Sequence, residues 1–364
     1  MNNKYLTGIS IVIIIGVLAF GFFMENPEEE SNTVNDDADV EEYQDTKMML
    51  DTVNTIRVYG SDGEEAVDGA FDQVSEIDEL FNIYDEDSNV SRLNRQAGEG
   101  PVELEDHTFT ILEKGIEYAE LSDGAFDPSI GALIKLWGWG SEDGPSLPDE
   151  EEIEATLPLI NYQDILIDDD SRTVEFNQSE MMIDLGAIAK GYAGELAADH
   201  LEDAGIEAAF VNLGGNIVLL GNKPDGTPWK IGVQDPRSDR GDLMGLVVAD
   251  TDYFDNKLSI STSGDYERYF EEDGEKYHHI LSPFTGYSVD NGIASITIVA
   301  KDAVMADALS TGVFVLGLEE GLELAESVDD FEVIFVTDER EVYLSSGLEG
   351  NFEILEDDFE IIED

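Results

Sequence analysis

The sequence predicts an α+β fold, in which strands and helices are interspersed and hairpins connect some neighbouring strands. Residues 52–60 alternate apolar and polar side chains and end in a Gly-Ser-Asp-Gly turn, the pattern of a half-buried strand. Residues 65–84 place apolar side chains three and four positions apart, as an amphipathic helix does. Residues 165–176 contain two short apolar runs around an Asp-Asp-Asp-Ser turn, which predicts a hairpin.

The chain of 364 residues is predicted to divide into four consecutive segments. A membrane anchor at residues 1–24 precedes an acidic, disordered linker at residues 25–45, which holds ten acidic residues and no basic residue. The folded body is predicted at residues 46–347 and an acidic C-terminal tail at residues 348–364.

The N-terminal segment has the length of a membrane-spanning helix. Residues 5–24 are uncharged and largely apolar, and twenty residues in a helix span roughly 30 Å of hydrocarbon. The bulky Phe22-Phe23-Met24 and the lack of an Ala-x-Ala site favour an uncleaved anchor, with a cleaved signal peptide as the alternative. Lys4 precedes the apolar run, so we expect the body on the extracytoplasmic side of the cell membrane.

The charge of the chain is strongly negative. There are 84 acidic residues against 18 Lys and Arg, for a formal net charge of -66. This argues against binding to nucleic acid or to anionic lipid, because both require basic surface. Self-repulsion is screened in concentrated salt, where the Debye length is roughly 3 Å at 1 M. The acids are spread along the whole chain, which favours a halophilic surface over the alternative, a surface for a basic partner or many divalent ions.

The composition also limits the possible chemistry. The absence of cysteine excludes disulfides, thiolate nucleophiles, cysteine-ligated zinc and a lipid-bearing N-terminal cysteine. Two of the four histidines, His278 and His279, are adjacent in a predicted strand. Neighbouring side chains in a strand point to opposite faces, so at most one of the two is expected to enter a site.

Residues 181–216 are predicted to run from a strand through a tight turn into a helix at residues 187–203. Asp184 ends the strand, and Lys190 lies in the first helical turn, where the helix dipole disfavours a cation. Lys190 is therefore expected to face an anion, either a bound one at the helix N-terminus or Asp184. The alternative is an ordinary strand-to-helix turn with a local Asp–Lys pair.

A second candidate site lies on the predicted helix at residues 303–316. Asp307 and Thr311 are four residues apart and therefore share one helix face. Their oxygen atoms suit Mg²⁺ or Ca²⁺ rather than zinc, and in so apolar a helix they need a partner. The alternative is a hydrogen bond between hydroxyl and carboxylate along the helix.

Trp137 and Trp139 lie beside glycines in residues 129–140, which are predicted to form a loop. Two such side chains could stack on a flat ligand. The alternative, which is the commoner case, is that both belong to the core.

Six motifs together resemble one known family. DGAFDPSIGALIKLWGWG, IDLGAIAKGYA, VNLGGNI, ISTSGDYERYF, HHILSPFTG and MADALSTGVFVLG occur in the order and spacing of the ApbE family of FAD:protein FMN transferases. The resemblance covers about residues 48–344 and implies a two-lobed α+β body that binds FAD between the lobes. It also implies an extracytoplasmic, Mg²⁺-dependent enzyme that transfers FMN from FAD to a Thr or Ser hydroxyl through a phosphoester bond, releasing AMP.

The resemblance implies roles for individual residues and partners. It implies that Asp184 and Lys190 contact FAD and that the Ala187 carbonyl, Asp307 and Thr311 hold Mg²⁺. It implies acceptor subunits such as those of RNF- and NQR-type redox pumps. The residues that it assigns to the flavin site are Met49, Gly124, Ala125, Phe126, Asp127, Ile280 and Leu281.

His279 matches the histidine of the HHILSPFTG motif and is the candidate base that activates the acceptor hydroxyl. Asp307 or a second metal ion is the alternative for that role. Two further functions remain open, an FAD pyrophosphatase in which water replaces the acceptor and a flavin-binding protein without turnover. The Asp307–Thr311 pair argues against the last, because flavin binding alone needs no Mg²⁺ site.

Overall fold

The structure is a computed structural model that describes residues 40–251 and 256–362. The predicted anchor at residues 1–24 and residues 25–39 of the predicted linker lie outside the described residues. Among the residues that are described, no helix is both long and apolar enough to cross a membrane.

The described residues form 17 strands, eight α-helices and several short 3₁₀ helices. The strands are β1 (Glu42–Met49), β2 (Thr52–Tyr59), β3 (Val102–Glu103), β4 (Ile165–Asp168), β5 (Thr173–Phe176), β6 (Ala208–Leu213), β7 (Asn216–Leu220), β8 (Trp229–Gln234), β9 (Leu243–Ala249), β10 (Lys257–Gly264), β11 (Tyr269–Glu272), β12 (Glu275–His278), β13 (Ile293–Ala300), β14 (Phe331–Thr337), β15 (Glu341–Leu344), β16 (Phe352–Ile354) and β17 (Glu360–Ile361). The helices are α1 (Gly63–Phe81), α2 (Asn89–Arg95), α3 (Asp106–Leu121), α4 (Gly131–Trp137), α5 (Glu150–Thr156), α6 (Ala189–Asp203), α7 (Ala303–Leu316) and α8 (Leu318–Ser327).

A nine-stranded sheet forms the centre of the fold, in the order β1-β2-β6-β7-β10-β13-β14-β15-β17. All neighbours pair antiparallel except β15 and β17, which are parallel. The helices α1, α6, α7 and α8 pack on one face, and the three-stranded sheet β16-β9-β8 packs on the other. The predicted α+β class is therefore confirmed, with helices gathered on one face of a largely antiparallel sheet.

The central strand β13 shows why this sheet lies inside the protein. All eight of its residues are buried, although two of them, Ser295 and Thr297, are polar. A strand covered on both faces reads as a nearly continuous apolar run rather than an alternating one. The helices cover one face of β13 and the smaller sheet covers the other, as its sequence requires.

The elements outside the central sheet also follow their sequence patterns. The predicted hairpin at residues 165–176 is confirmed, since β4 and β5 pair antiparallel and join β3 in a small sheet. Residues 131–137 form helix α4 rather than the predicted loop. Trp137 is fully buried and Trp139 is 6 % exposed, so both belong to an aromatic core cluster, which was the commoner alternative.

Two predicted boundaries were wrong. The linker was expected to extend to residue 45, but β1 begins at Glu42 and pairs with β2 from that residue onward. An edge strand tolerates acidic residues because alternate side chains face solvent. The predicted tail at residues 348–364 contains β16 and β17, which pair with β9 and β15. Phe352 and Phe359 anchor it, and both are buried despite their acidic surroundings.

This correction yields a test of the C-terminal segment. Phe359 is 6 % exposed and lies under the Arg340 guanidinium, 4.8 Å from its ring centroid. Phe359→Ala is expected to lower the free energy of unfolding by about 3 kcal/mol, because a buried aromatic ring is removed. Leu355→Ala is the control, since Leu355 is 45 % exposed and its loss is expected to cost below about 1 kcal/mol. Equal, small effects in denaturant titrations would contradict a folded C-terminal segment.

Candidate functional site

The loop of the DGAFDP motif is fixed against residues 181–184, which form a single bridge from Met182 to Ile130 rather than the predicted strand. The Gly131 amide donates to the Met182 carbonyl at 3.0 Å, and the Asp184 amide donates to the Pro128 carbonyl at 2.9 Å. A Cβ on Gly131 would lie 2.7 Å from the carbonyl of Ile183, so only glycine allows this approach. Two motifs that are more than fifty residues apart in sequence therefore form one wall of the site.

Asp127 holds the shape of this loop. One carboxylate oxygen accepts from the Ser129 amide at 2.8 Å and the Ser129 hydroxyl at 2.6 Å, and the other accepts from the Tyr162 amide at 3.0 Å. Burial raises the pKa of Asp127, and these hydrogen bonds act in the opposite direction. Both oxygens of Asp127 are thus engaged by the protein and fix the loop, and its role in flavin binding stays a prediction.

An open pocket of about 340 Å³ lies beside the same loop. Gly124 has a φ of +81°, and a Cβ placed there would lie 3.6 Å from the Tyr162 ring and 3.9 Å from the Phe284 ring. Phe284 is 58 % exposed. Both rings therefore lie close to the Gly124 backbone at this open pocket. Neither aromatic residue was expected from the sequence.

Other residues predicted for the flavin site have buried side chains. Ala125 and Phe126 are in the core, and Phe126 packs against Gly312 on α7, where an added Cβ would meet it at 3.1 Å. Ile280 and Leu281 are likewise buried, in two different clusters. The side chains of these four residues therefore support the fold, and the amides of Ala125 and Phe126 are bonded to Ser122. Their role in flavin binding stays a prediction.

Met49 lies at the end of β1, at the turn into β2. It is half-buried, and its carbonyl accepts from the Asn54 side chain at 2.8 Å. The neighbouring Thr52 packs against Gly214, so this turn adjoins the VNLGGNI turn. The role of Met49 in FAD binding stays a prediction.

The junction between α6 and α7 brings the acidic and basic residues together. The Gly191 amide donates to one carboxylate oxygen of Asp307 at 2.8 Å, and the Lys190 ammonium lies 3.9 Å from the other. Asp307 is only 3 % exposed, so its charge requires such partners. A Cβ on Gly191 would lie 2.2 Å from the carbonyl of Ala303, which makes glycine necessary here. The ion pair of Lys190 is thus formed with Asp307 rather than with the expected Asp184.

The predicted Mg²⁺ ligands can be tested against this junction. Helix α6 begins at Ala189, so Ala187 lies in the preceding turn. The Gly191 amide, which an uninterrupted helix would direct to the Ala187 carbonyl, is instead bonded to Asp307, so that carbonyl is left outside the helical ladder. Thr311 lies one turn after Asp307 and is half-buried.

This donor set fits Mg²⁺. It consists of one carboxylate, one carbonyl and one hydroxyl, and Mg²⁺ uses few protein oxygens together with waters and substrate phosphates. The described part of the chain holds no group of three or more His, Asp or Glu side chains arranged for a metal.

The two adjacent histidines, His278 and His279, have different surroundings. His278 is buried, and its Nε2 lies 2.7 Å from the Val289 carbonyl. The His279 amide donates to the Arg268 carbonyl at 3.0 Å, which continues the β11–β12 hairpin by one residue. Burial, together with the positive charges of Arg268 and Lys190, lowers the pKa of His279 to about 3. His279 is therefore neutral at physiological pH.

Arg268 and Glu267 lie close enough to the site for their charges to interact with it, although the sequence assigned no role to either. Burial raises the pKa of Asp184, while the Gly186 amide at 2.7 Å and the charges of Arg268 and Lys190 lower it. Glu267 reaches solvent, yet the surrounding protein displaces enough water to raise its pKa. The Asp273-Gly274 turn was the available signal, since a hairpin there pairs Arg268 with His279.

Comparison with known proteins places this geometry in a family. The model of the ApbE family matches residues 50–335. An FAD:protein FMN transferase of Klebsiella pneumoniae is 34% identical over 321 residues, which cover 88% of this chain and 97% of the relative. A protein of the same name from Treponema pallidum is 32% identical, covering 88% of this chain and 91% of the relative.

Solved structures show the same similarity. The ApbE protein of Thermotoga maritima has a TM-score of 0.78 and 33% identity, covering 85% of this chain and 99% of that chain. The flavin transferase ApbE of Vibrio cholerae has a TM-score of 0.76 and 29% identity, covering 86% of this chain and 99% of that chain.

Substitution of Gly191 tests the close approach of the two helices. Gly191→Ala is expected to lower the free energy of unfolding by about 1–3 kcal/mol, because the added methyl group meets backbone and the Asp307 stem. Gly69→Ala on α1 is the matched control. There the methyl group meets only the half-exposed end of His200, which can move away, and alanine favours the helix. Equal melting temperatures of the two variants would count against a tight junction.

Proposed function

The chain belongs to the ApbE family and is a flavin transferase, and we propose that it transfers FMN from FAD to a Ser or Thr hydroxyl of an acceptor protein, using Mg²⁺ and releasing AMP. The observation that supports this proposal most directly is the α6–α7 junction. There a buried carboxylate, a carbonyl outside the helical ladder and a lysine ammonium converge at the N-terminus of a helix. Such a helix end favours phosphate groups.

The charges of the site suit the pyrophosphate of FAD. Lys190 and Arg268 supply positive charge within a molecule whose formal net charge is -66. Bound Mg²⁺, held by Asp307, Thr311 and the Ala187 carbonyl, would neutralise charge on the phosphates during the reaction. The fixed cations reduce the repulsion that an anionic cofactor otherwise meets on this surface.

His279 is the proposed base. Its Nε2 accepts the proton of the acceptor hydroxyl, whose oxygen attacks the phosphorus of the FMN half. A new P–O bond forms, and the bond from that phosphorus to the bridging oxygen breaks. The bridging oxygen leaves with AMP, so the products are a phosphoester and a nucleoside monophosphate. Water in place of the hydroxyl would give FMN and AMP, which is the pyrophosphatase alternative.

The pocket beside Gly124 suits the isoalloxazine ring of FAD. Tyr162 and Phe284 offer two aromatic faces about the glycine backbone, and flat rings stack favourably on such side chains. The backbone of residues 124–127 completes that wall. In this arrangement the flavin lies at an open surface, where an acceptor protein can receive it.

We further propose the cellular setting from the sequence. Residues 1–24 would anchor the enzyme in the cell membrane, with its body on the extracytoplasmic side. Subunits of RNF- and NQR-type redox pumps would then be suitable acceptors, because they lie in the same membrane. Incubation with such a subunit, FAD and Mg²⁺, followed by mass spectrometry for covalent FMN, tests this assignment.

Asp307 provides the sharpest test of the proposed chemistry. Asp307→Asn keeps an oxygen for the Gly191 amide but removes the charge, so we expect FMN transfer to fall at least about 100-fold. Glu319→Gln, on the exposed face of α8, is the charge-matched control and should retain full activity. Covalent FMN on the acceptor and released AMP are measured together. Undiminished transfer by Asp307→Asn would refute the metal assignment, and AMP and free FMN without an adduct would favour the pyrophosphatase.

The acidic surface is proposed to be an adaptation to high salt. Raising KCl from 0.15 M to 1 M shortens the Debye length from about 8 Å to roughly 3 Å, which screens the self-repulsion. We expect the melting temperature to rise steeply over this range. Sucrose of matched osmolality is the control, because it stabilises by exclusion without screening charge. An equal rise in sucrose would contradict the electrostatic explanation.

A further inference from the structure

Trp139 packs against the proposed base, and the reaction as described does not use it. The ring centroids of Trp139 and His279 are 6.2 Å apart, with an interplanar angle of 69°. This edge-on arrangement is a favourable geometry for two aromatic rings. Trp139 is only 6 % exposed, whereas His279 is half-buried. The indole is therefore an interior wall against one side of the imidazole.

The position of this wall is fixed by its neighbours. The Tyr84 hydroxyl donates to the Trp139 carbonyl, and the ring of Phe270 on β11 lies 5.8 Å from the indole. Gly140 follows with a φ of +83°, and a Cβ there would lie 2.8 Å from the Tyr84 ring. Groups from the α1–α2 connection and from the hairpin thus hold the indole in one place.

Each of the two rings has one buried nitrogen. Among the described residues, neither Trp139 Nε1 nor His279 Nδ1 has a hydrogen-bond partner, and both atoms are buried. The imidazole therefore turns its Nδ1 edge into the protein. His279 as a whole is half-buried, so part of the residue reaches solvent.

We propose that Trp139 is a positioning residue for His279, which excludes water from the Nδ1 edge of the imidazole and holds Nε2 towards the acceptor hydroxyl. This inference rests on the proposed function, in which His279 is the base. The charged groups that face His279 are Arg268 on the hairpin and Lys190 on α6, together with the neighbouring imidazole of His278. Each of these groups disfavours protonation of His279, and so does the exclusion of water by the Trp139 indole.

This arrangement links the strength of the base to substrate binding. In the free enzyme, burial and the nearby cations keep the pKa of His279 at about 3. When the phosphates of FAD bind beside Lys190 and Arg268, their negative charge opposes that of the cations and raises the pKa of His279. The base then approaches the range in which proton transfer is effective. Trp139 keeps the imidazole neutral until that point.

NMR titration of histidine-labelled protein tests the inference without any assay of transfer. The His279 signal is assigned by its absence in His279→Gln. In Trp139→Leu, water reaches the imidazole, and we expect its pKa to move towards the ordinary value of about 6.5. Trp139→Phe keeps an aromatic wall and should stay near the wild-type value.

Trp137→Phe is the matched control. Trp137 lies two residues away in the same aromatic cluster and donates to the Gly286 carbonyl at 2.9 Å. This variant should be less stable but leave the His279 titration unchanged. If Trp139→Leu does not fold, Trp139→Met, whose flexible side chain fills irregular gaps, replaces it.

Kinetic measurements distinguish a positioning role of Trp139 from an effect on folding. Trp139→Leu is expected to lower kcat at least tenfold with an unchanged KM for FAD, and to shift the acid limb of the pH profile to higher pH. A His279 titration identical in Trp139→Leu and wild type, or shifted equally by Trp137→Phe, would overturn the inference. Absence of transfer by the wild-type enzyme would instead refute the proposed function, and the NMR result would still decide the role of Trp139.

Discussion

The hydrogen bond from the Gly191 amide to Asp307 is the interaction on which the candidate site depends. It forms only because α6 and α7 approach until the Gly191 backbone touches the Ala303 carbonyl, a contact that no side chain permits. The same approach places Lys190 beside Asp307 and leaves the Ala187 carbonyl outside the helical ladder. Gly191 thus allows the close helix packing that sets the positions of Lys190, Asp307 and the Ala187 carbonyl.

The second constraint on the candidate site is the small number of basic residues. Only 18 basic residues balance 84 acidic ones, and much of the basic set is engaged in ion pairs. Arg237 and Lys276, for example, both bind Asp265, at the turn that leads to Glu267 and Arg268. These pairs hold the loop that presents Arg268 to the site. Basic residues therefore serve the site in two ways. Arg268 supplies positive charge directly, and Arg237 and Lys276 support the loop on which Arg268 lies.

The sequence predicted those elements whose periodicity is strong and uninterrupted. The helix at residues 303–316, for example, occurs with the predicted bounds, because its apolar residues form one continuous helical pattern. The pairing of Asp307 with Lys190 was not predicted, because it depends on where two helices cross. The contact of Trp139 with His279 likewise requires the β11–β12 hairpin to pack near α4, and no local sequence pattern predicts that packing. The burial of Phe352 and Phe359 was not predicted, because the C-terminal segment that contains them is rich in acidic residues.

The edges of the central sheet also bear on behaviour in concentrated salt. Strand β1 ends the sheet on one side and carries Glu42, Asp45 and Lys47, while β17 ends it on the other and is two residues long. Screening abolishes long-range repulsion between molecules, but it does not remove the cost of dehydrating a charged side chain against a neighbouring strand. A charged edge and a short edge therefore oppose edge-to-edge aggregation even where salt has removed the repulsion that otherwise keeps acidic molecules apart.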